Sequence, residues 1–233
     1  MDIMGETLAA GLPALGLQLS DAQQQLLCSF AYAVIRQNEV MNLTAITDPA
    51  QVAKLHLLDS LSVLTCGNFE GKKLIDVGCG AGFPGVPLAI GCSELDVTLL
   101  DSLGKRVHWL EETLPRLGIR AECIAARAEE AVAQRREQYD FATSRAVARL
   151  NILLELTAPY VKVGGMVIAM KGAAAKEELG ECTSAIKKLG LALEQVKEFP
   201  IDGASHALIL LRKVSPTPAQ YPRRYAKIKQ SPL

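Results

Sequence analysis

A short apolar run followed by a glycine-rich segment most limits what this chain can fold into. The segment reads Leu74-Ile75-Asp76-Val77-Gly78-Cys79-Gly80-Ala81-Gly82-Phe83-Pro84-Gly85. Its glycines cost more conformational entropy than a plain turn requires. A strand that ends in such a loop is typical of sites where a ligand approaches the backbone closely. We therefore interpret this segment as the first strand and the binding loop of an α/β domain.

Short apolar runs alternate with helix-length segments after Gly71, and this pattern predicts a mostly parallel sheet with helices on both faces, because parallel neighbours need a crossover connection. The predicted strands are Lys73 to Val77, Leu95 to Asp101, Ala121 to Ala125, Tyr139 to Ser144, Met166 to Lys171, Leu191 to Phe199 and His206 to Arg212. The predicted helices between the first five are Val86 to Ile90, Gly104 to Leu117, Glu129 to Arg136 and Val147 to Val161. Only Pro200 to Ser205 join the last two strands, so we expect an antiparallel hairpin there. The prediction is a mostly parallel, seven-stranded α/β sheet with a C-terminal antiparallel hairpin.

The segments before and after the sheet differ from it in pattern. Residues 1–70 are predicted to form a helical extension, with one helix capped by Ser20 or Asp21 and another that starts at Pro49 and runs to about Leu64. On that second helix His56 and Asp59 share a face, and we expect a structural hydrogen bond there. The tail, 215–233, is basic and contains four prolines, so it cannot be one regular helix. We divide the chain into residues 1–70, a sheet domain over 71–214, and this tail.

Composition excludes several classes of protein. Lys and Arg number 25 and Asp and Glu number 25, so any nucleic-acid site must be local. No C-x-x-C pair is present, and no cysteine stands beside a histidine at metal-ligand spacing, so we expect no metal. No apolar stretch approaches the roughly 18 residues of a membrane span. The start is acidic where a secretory signal would be basic, so we expect a cytoplasmic protein without a membrane partner.

The glycine loop admits two kinds of nucleotide ligand. Gly80 to Gly85 match the dinucleotide pattern G-x-G-x-x-G. Against a pyrophosphate, Pro84 and Pro87 remove amide donors at the helix start, and the Asp76 carboxylate suits an ammonium group better. Asp101 ends the second strand, 23 positions after Gly78, close to the offset of roughly 20 at which an acid binds ribose hydroxyls. These observations favour S-adenosylmethionine, which has an amino-acid end and no phosphate.

Six sequence blocks together resemble one protein family. Asp76 to Gly82 look like motif I of the class I S-adenosylmethionine-dependent methyltransferases. More narrowly, NLTAITDP, HLLDSL, IDVGCGAGFPGVPLAI, LLDSLGKRVHWL, SRAVARL and MKG occur in order from Asn42 to Gly172 and resemble the bacterial RsmG family, also called GidB. The resemblance implies the Rossmann-like class I methyltransferase fold. It also implies methylation of N7 of one guanine in the 530 loop of 16S rRNA.

The same resemblance implies which residues bind the cofactor. All follow strand ends, where open α/β sheets bind ligands. They are Gly78 and Phe83, then Asp101, Ser102 and Leu103, then Ala128 and Glu129, and finally Arg145. Cys79 stands where relatives more often carry Thr or Ser, and the tail only partly follows the Lys/Pro/Arg-rich ending of many members.

Basic residues near these loops suggest a nucleic-acid face. Lys105 and Arg106 open a helix, where the dipole disfavours cations unless an anion lies nearby. The predicted RNA-binding residues are Lys105, Arg106, Arg149, Lys171, Arg223 and Arg224. Arg145 fits the cofactor region, an RNA phosphate or an ion pair, and Lys171 fits the target nucleotide or the sheet edge. Among the aromatics, Tyr221, Tyr225 and Trp109 are candidates to stack on bases, although Trp109 on a helix suits a core.

Three functional hypotheses remain open, and the first of them rests on the family resemblance. The first is the rRNA methyltransferase acting on 16S rRNA or the small ribosomal subunit. The second is an NAD-dependent dehydrogenase, and the third is a non-catalytic RNA-binding assembly factor. No catalytic side chain is assigned, because neutral guanine keeps a lone pair on N7 and its methylation requires no general base. The sequence leaves open whether the substrate is naked RNA, an assembly intermediate or the mature subunit.

Overall fold

One seven-stranded sheet organises the molecule, and the computed structural model describes residues 2–201 and 203–233. The strands are β1 (Lys73–Val77), β2 (Asp96–Asp101), β3 (Glu122–Ala125), β4 (Tyr139–Arg145), β5 (Val161–Lys171), β6 (Leu191–Ile201) and β7 (Ala204–Lys213). Their order is β3-β2-β1-β4-β5-β7-β6. Strands β1 to β5 pair in parallel, and β7 is antiparallel to both β5 and β6. The predicted fold class is confirmed. Asp202, in the predicted hairpin link, lies outside the described residues.

Helices cover both faces of the sheet. They are α1 (Ile3–Gly11), α2 (Asp21–Met41), α3 (Pro49–Val52), α4 (Asp59–Leu61), α5 (Gly85–Gly91), α6 (Gly104–Arg116), α7 (Ala128–Ala131), α8 (Leu150–Thr157), α9 (Ala175–Glu181), α10 (Thr183–Lys188) and α11 (Tyr225–Gln230). A π-helical turn, Ala53–Leu58, joins α3 to α4, and a 3-10 turn, Ser62–Cys66, follows α4. The predicted second helix is therefore a continuous helical segment with α-, π- and 3-10-helical parts.

Two helix starts follow the capping chemistry of the sequence. The Ser20 hydroxyl accepts a hydrogen bond from the Gln23 backbone N–H, and the Gln23 side chain accepts one from the Ser20 N–H. This reciprocal pair satisfies donors that a helix start leaves free. Asp48 caps α3 through the Gln51 N–H at 2.9 Å, with Pro49 in the first helical position. Both predicted starts are confirmed.

Several elements differ from their predicted bounds. The predicted helix Glu129 to Arg136 is the short α7 followed by a 3-10 turn, Val132–Gln134. Helix α8 begins at Leu150 rather than Val147, because Ala146 has φ of 56° and the chain forms a loop before the helix. Strand β5 begins at Val161 rather than Met166, through an irregularity that pairs Tyr139 with Val161 and then Phe141 with Met166. Helices α9 and α10 occupy a segment that the sequence pattern left unassigned.

Each face of the sheet has its own hydrophobic core. One core joins the N-terminal helices to the sheet, since Leu27, Phe30 and Leu61 pack in the same cluster as Leu74 and Leu99. The other core joins the opposite face to α8, α10 and the tail, and contains Ile75, Leu154, Ala185 and Tyr221. The N-terminal extension and the tail are thus packed parts of the molecule. Among the residues that the structure describes, no helix combines the length and apolar character needed to span a bilayer.

Candidate functional site

A large cavity opens at the carboxyl edge of the parallel strands. Its volume is about 1100 Å³, slightly above the range of roughly 300 to 1,000 Å³ for ligand pockets, so it has room for a cofactor and a second group. Loops after β1, β2, β3, β4 and β5 line it, together with residues of the N-terminal helices, His206 and Tyr225. All eight predicted cofactor residues line this cavity: Gly78, Phe83, Asp101, Ser102, Leu103, Ala128, Glu129 and Arg145.

The glycine loop forms one wall and cannot tolerate side chains at its first turn. Gly78 and Gly80 have φ of 77° and 57°, values that L residues rarely adopt. A Cβ at Gly78 would lie 2.3 Å from Val147 Cγ2. The Gly78 and Cys79 N–H groups both donate to the Leu100 carbonyl, at 2.7 and 3.1 Å, which ties the loop to β2. The result is a backbone cradle that a ligand can approach closely.

Asp76 supports this loop from within the fold. Its side chain is fully buried, and Oδ2 accepts a hydrogen bond from the Gly85 N–H at 2.8 Å. Among the described residues, Oδ1 is the one buried side-chain nitrogen or oxygen atom without a hydrogen-bond partner. Burial raises the pKa of the Asp76 carboxyl to about 7, against the lowering effect of the Gly85 hydrogen bond. Asp76 is enclosed by protein and is not among the residues that line the cavity. Its predicted contact with the ammonium group of a ligand stays a prediction.

Asp101 holds two loops together at the end of β2. Oδ2 accepts from the Gly80 N–H at 2.9 Å, and Oδ1 accepts from the Leu103 N–H at 2.8 Å. The side chain is almost buried but borders the cavity. Each carboxylate oxygen keeps further acceptor capacity, so the residue fits a ligand that offers hydroxyl donors. The glycine cradle and this acid together suit a nucleoside with an amino-acid arm.

The loop after β3 supplies the next part of the wall. Ala128 and Glu129 begin α7 and border the cavity. The Tyr160 hydroxyl donates to the Ala128 carbonyl at 2.6 Å, which fixes this turn against the second core. Glu129 Oε1 accepts a hydrogen bond from the Tyr225 backbone N–H at 3.3 Å, so the C-terminal tail reaches this same part of the site.

Arg145, at the end of β4, connects the sheet to the N-terminal extension. Nη1 donates to the Leu55 carbonyl at 2.8 Å and to Asp59 Oδ2 at 3.1 Å. Nη2 lies 3.2 Å from His56 Nδ1. The guanidinium also lies over the Phe83 ring, 5.4 Å from its centroid, a cation–π contact. Its side chain is 18% exposed, so this cation is held in place before any ligand binds.

His56 and Asp59 extend this network across the cavity wall. His56 Nε2 lies 2.8 Å from the Thr44 hydroxyl, and its ring stacks on Phe83 with centroids 4.8 Å apart. Burial, and to a lesser extent the nearby Arg145 cation, lower the pKa of His56 to about 4, so the ring is neutral at pH 7. Asp59 Oδ1 lies 2.9 Å from His206 Nδ1 on β7. The predicted shared face of His56 and Asp59 is confirmed, with Arg145 as the partner that joins them.

The predicted RNA-binding cations differ in their partners and exposure, and Arg224 is exposed. Lys171 Nζ donates to the Ala148 carbonyl at 2.6 Å and pairs with Glu178 at 2.7 Å. Arg149 pairs with Glu177 and Glu181 but is half exposed. Lys105 is exposed, and Arg106 borders the cavity beside the glycine loop. Arg223 is different, because its guanidinium makes a two-point contact with the buried Glu155 at 2.8 and 2.6 Å.

The aromatic candidates also separate. Trp109 packs near Phe30 with ring centroids 6.4 Å apart and belongs to the first core. Tyr221 is buried in the second core. Tyr225 alone of the three borders the cavity. His206 is a site residue that sequence reasoning missed, since it lies 147 positions from Asp59 and no local motif marks it.

No set of three or more metal-ligating side chains comes together in residues 2–201 and 203–233. Two carboxylates of the cavity are instead paired with cations, Asp59 with Arg145 and Glu178 with Lys171.

Sequence comparison assigns the chain to a family. The family model described as rRNA small subunit methyltransferase G, GidB, matches residues 23–206. A relative from Clostridium beijerinckii, called ribosomal RNA small subunit methyltransferase G, is 43% identical over 224 residues, 94% of each chain. A relative of the same name from a Thermoanaerobacter species is 47% identical over 209 residues, 87% of each chain.

Solved structures share the fold at low sequence identity. The mitomycin 7-O-methyltransferase MmcR superposes with a TM-score of 0.56 at 16% identity, covering 81% of this chain and 60% of that one. A 16S rRNA (adenine(1408)-N(1))-methyltransferase from Catenulisporales acidiphilia gives 0.53 at 16% identity, over 64% of this chain and 87% of that one. TYW2 from P. horikoshii gives 0.55 at 14% identity, over 67% of this chain and 62% of that one. These likenesses show the methyltransferase fold.

Proposed function

This chain belongs to the GidB family, the rRNA small subunit methyltransferases G, and on that premise we propose that it methylates N7 of a guanine in the 530 loop of 16S rRNA. The observation that carries the proposal is one continuous cavity that joins the glycine cradle to a polar side where Arg145 and Lys171 pair with Asp59 and Glu178. Membership of a methyltransferase family favours this function over the other two hypotheses, an NAD-dependent dehydrogenase and a non-catalytic assembly factor.

S-adenosylmethionine is the methyl donor of this enzyme class, and the residues present fit it. Gly78 and Phe83 would hold the amino-acid end of the cofactor near β1. Asp101, with Ser102 and Leu103, would receive the ribose hydroxyls after β2. Ala128 and Glu129 would border the base after β3, and Arg145 would close the cofactor side of the cavity through its position over Phe83.

The polar side chains of the cavity suit a reaction that needs positioning rather than proton removal. Neutral guanine presents N7 as an acceptor on its major-groove edge, so no base must remove a proton before attack. His56 is a neutral ring in contact with Thr44 and Arg145. The carboxylates Asp59 and Glu178 are both paired with cations. A rigid cavity of this kind would promote transfer by aligning the two reactants.

The RNA would approach over the basic residues around the cavity mouth. We assign this role to Lys105, Arg106, Arg149 and Arg224. Lys171, which lines the cavity and pairs with Glu178, would border the target nucleotide instead. Arg223 was predicted to join them, but its pairing with Glu155 favours a role in holding the tail. Phosphate contacts from such residues position a nucleic acid without reading its sequence. The partner would be 16S rRNA within the small ribosomal subunit.

Two measurements test this function. Calorimetry should show binding of S-adenosylmethionine and no binding of NAD. Transfer of a labelled methyl group should then be measured with small subunits, and separately with naked 16S rRNA, from cells that lack this enzyme. We expect label in RNA digests as 7-methylguanosine. RNA in which the target guanine is replaced by adenine is the matched control, and equal labelling of that RNA would contradict the proposed target.

A further inference from the structure

The C-terminal tail crosses the molecule from one edge of the sheet to the other. Strand β7 is antiparallel to β5, so it ends at Lys213 on the edge opposite the cavity. Twelve residues later the chain reaches Tyr225, which borders the cavity. The tail therefore returns to the functional edge across the face that carries α8 and the second core.

Buried ion pairs fix this path. Arg223 makes its two-point contact with Glu155, whose side chain is 0% exposed, and the Arg223 backbone N–H donates to the same carboxylate at 2.8 Å. Lys213 is also buried, and it pairs with Glu137 at 3.2 Å. Ile228, one turn beyond Tyr225, is fully buried. Since these contacts need no ligand, Tyr225 is held at the cavity before a cofactor binds.

Tyr225 lies beside the loop after β3. Its backbone N–H donates to Glu129 Oε1 at 3.3 Å, and the Arg127 guanidinium lies 5.8 Å from the centroid of its ring. Both partners belong to the turn that starts α7. The ring is half-buried, so part of its surface remains available to a ligand.

The order of the strands indicates which part of a cofactor would meet this ring. Strands β1, β2 and β3 are neighbours in that order. An amino-acid arm at the β1 loop and a ribose at Asp101 after β2 place the attached base at the end of β3. The target nucleotide would lie in the other direction, towards β4 and β5.

We propose that Tyr225 forms a wall of the adenine end of the cofactor pocket, held there by the tail and its Arg223–Glu155 contact. The proposal rests on the function above, because it assumes that S-adenosylmethionine occupies the cavity. If so, the part of the tail that faces the cavity contributes to cofactor binding, and Tyr225 is a binding residue that the glycine motif does not indicate.

The test compares three variants of the full chain by calorimetry. Tyr225→Ala removes the ring, Tyr225→Phe keeps it, and Gln230→Ala changes an exposed residue at the far end of the same helix. Each is titrated with S-adenosylmethionine and with 5′-methylthioadenosine, which lacks the amino-acid arm. Affinity for small-subunit RNA is measured without cofactor. Because stacking on an aromatic ring is a substantial part of base binding, Tyr225→Ala should weaken both nucleosides about tenfold.

The expected pattern separates the alternatives. Tyr225→Phe and Gln230→Ala should bind both nucleosides as the parent chain does, and RNA affinity should stay the same in all three. Unchanged nucleoside affinity in a folded Tyr225→Ala variant would overturn the proposal. So would a loss confined to RNA, because the ring would then serve the target nucleotide. If the parent chain itself fails to bind S-adenosylmethionine, the proposed function fails instead.

Discussion

Two aspartates at the ends of neighbouring strands have different environments and so different expected roles. Asp76 is enclosed by protein and has one unpaired oxygen, whereas Asp101 borders the cavity and binds two backbone N–H groups. The first supports the shape of the glycine loop, and the second is available to a ligand. Each therefore gives a separate prediction.

Removing the Asp101 carboxylate should weaken cofactor binding. Asp101→Ala loses a charged acceptor whose hydrogen bonds contribute about 1.5 to 3 kcal/mol each, and it also releases Gly80 and Leu103. We expect the dissociation constant for S-adenosylmethionine, measured by calorimetry, to rise at least about tenfold. Asp96→Ala, at the exposed start of the same strand, is the control and should leave it unchanged. A change below about twofold for Asp101→Ala would mean that Asp101 does not bind the ribose.

Asp76 should make the stability of the unliganded protein depend on pH. Its pKa is raised from 3.8 to about 7 in the folded chain. Below pH 4 both states hold the proton, so nothing is lost. As pH rises through this window, the unfolded chain releases its proton while the folded chain retains it, so the free energy of unfolding falls. Above pH 7 the loss is complete, and it amounts to at most about 4 kcal/mol.

Asp76→Asn isolates that contribution because it cannot titrate. Chemical denaturation at several pH values should show the parent chain losing stability relative to Asp76→Asn between pH 4 and pH 7. Parallel pH profiles for the two proteins would contradict the raised pKa.

Sequence reasoning predicts single residues well where the backbone or a motif constrains them. The positive φ of Gly78 and Gly80 and the position of Asp101 follow from the strand and glycine pattern. The partners of Arg145 do not follow, because Leu55 and Asp59 lie 90 and 86 positions away. The partner of Arg223 does not follow either, because Glu155 lies 68 positions away in another helix, and a role of Arg223 in RNA binding stays a prediction.

At the scale of elements, the Arg145 network attaches the N-terminal helices to the sheet. Asp59 is 7% exposed in its side chain and connects Arg145 on β4 to His206 on β7. The π-helical turn that precedes it contains His56, and such irregular turns are frequent at functional sites. The network therefore sets the position of one cavity wall.

Breaking this network should destabilise the whole chain. Asp59→Asn leaves the mostly buried Arg145 without its carboxylate, a change that costs about 3 kcal/mol in comparable buried pairs. The free energy of unfolding in denaturant titrations at pH 7 measures it. Glu198→Gln breaks an exposed pair with Lys176 and should cost below about 1 kcal/mol. Equal small losses in both variants would show that the network does not hold the extension in place.

The outer side of the tail should contribute to RNA affinity through charge. Arg224, Lys227 and Lys229 are exposed, and each phosphate contact contributes about 0.7 to the slope of log affinity against log salt for single strands. Replacing all three by Ala should lower that slope by about 2. Lys187 and Lys188, which precede β6 at the opposite edge of the sheet, form the control pair. An unchanged slope in the triple variant would exclude the tail from the RNA interface.

The bounds of helices and strands can be predicted from the sequence where capping residues and apolar runs agree. The prediction fails where the backbone departs from regular geometry. Ser20 and Asp48 mark their helices directly. The early start of β5 was not predicted because Gly164 and Gly165 interrupt its sequence, a pattern typical of a turn. In the structure Lys162, Val163 and Gly164 are exposed. Helices α9 and α10 are short and separated at Cys182, so neither shows a full amphipathic repeat.

At the scale of the whole molecule, alternation of strands and helices was enough to predict a parallel sheet closed by a hairpin. The domain division at residues 70 and 215 stays a prediction. The sequence pattern did not predict how the flanking segments pack against the sheet. Phe30 of the extension and Tyr221 of the tail each lie in a core shared with the sheet. The two flanking segments thereby reach the cavity from opposite faces, through His56 and Tyr225.

The central claim is that this protein methylates one guanine of small-subunit rRNA. Mapping of the modified nucleosides in that RNA tests the claim most directly. 16S rRNA from cells with and without this protein should be digested and compared by mass spectrometry. The account predicts 7-methylguanosine in the 530 loop that disappears when the protein is absent and returns when the parent chain is restored. The same modification pattern in both cell types would contradict it.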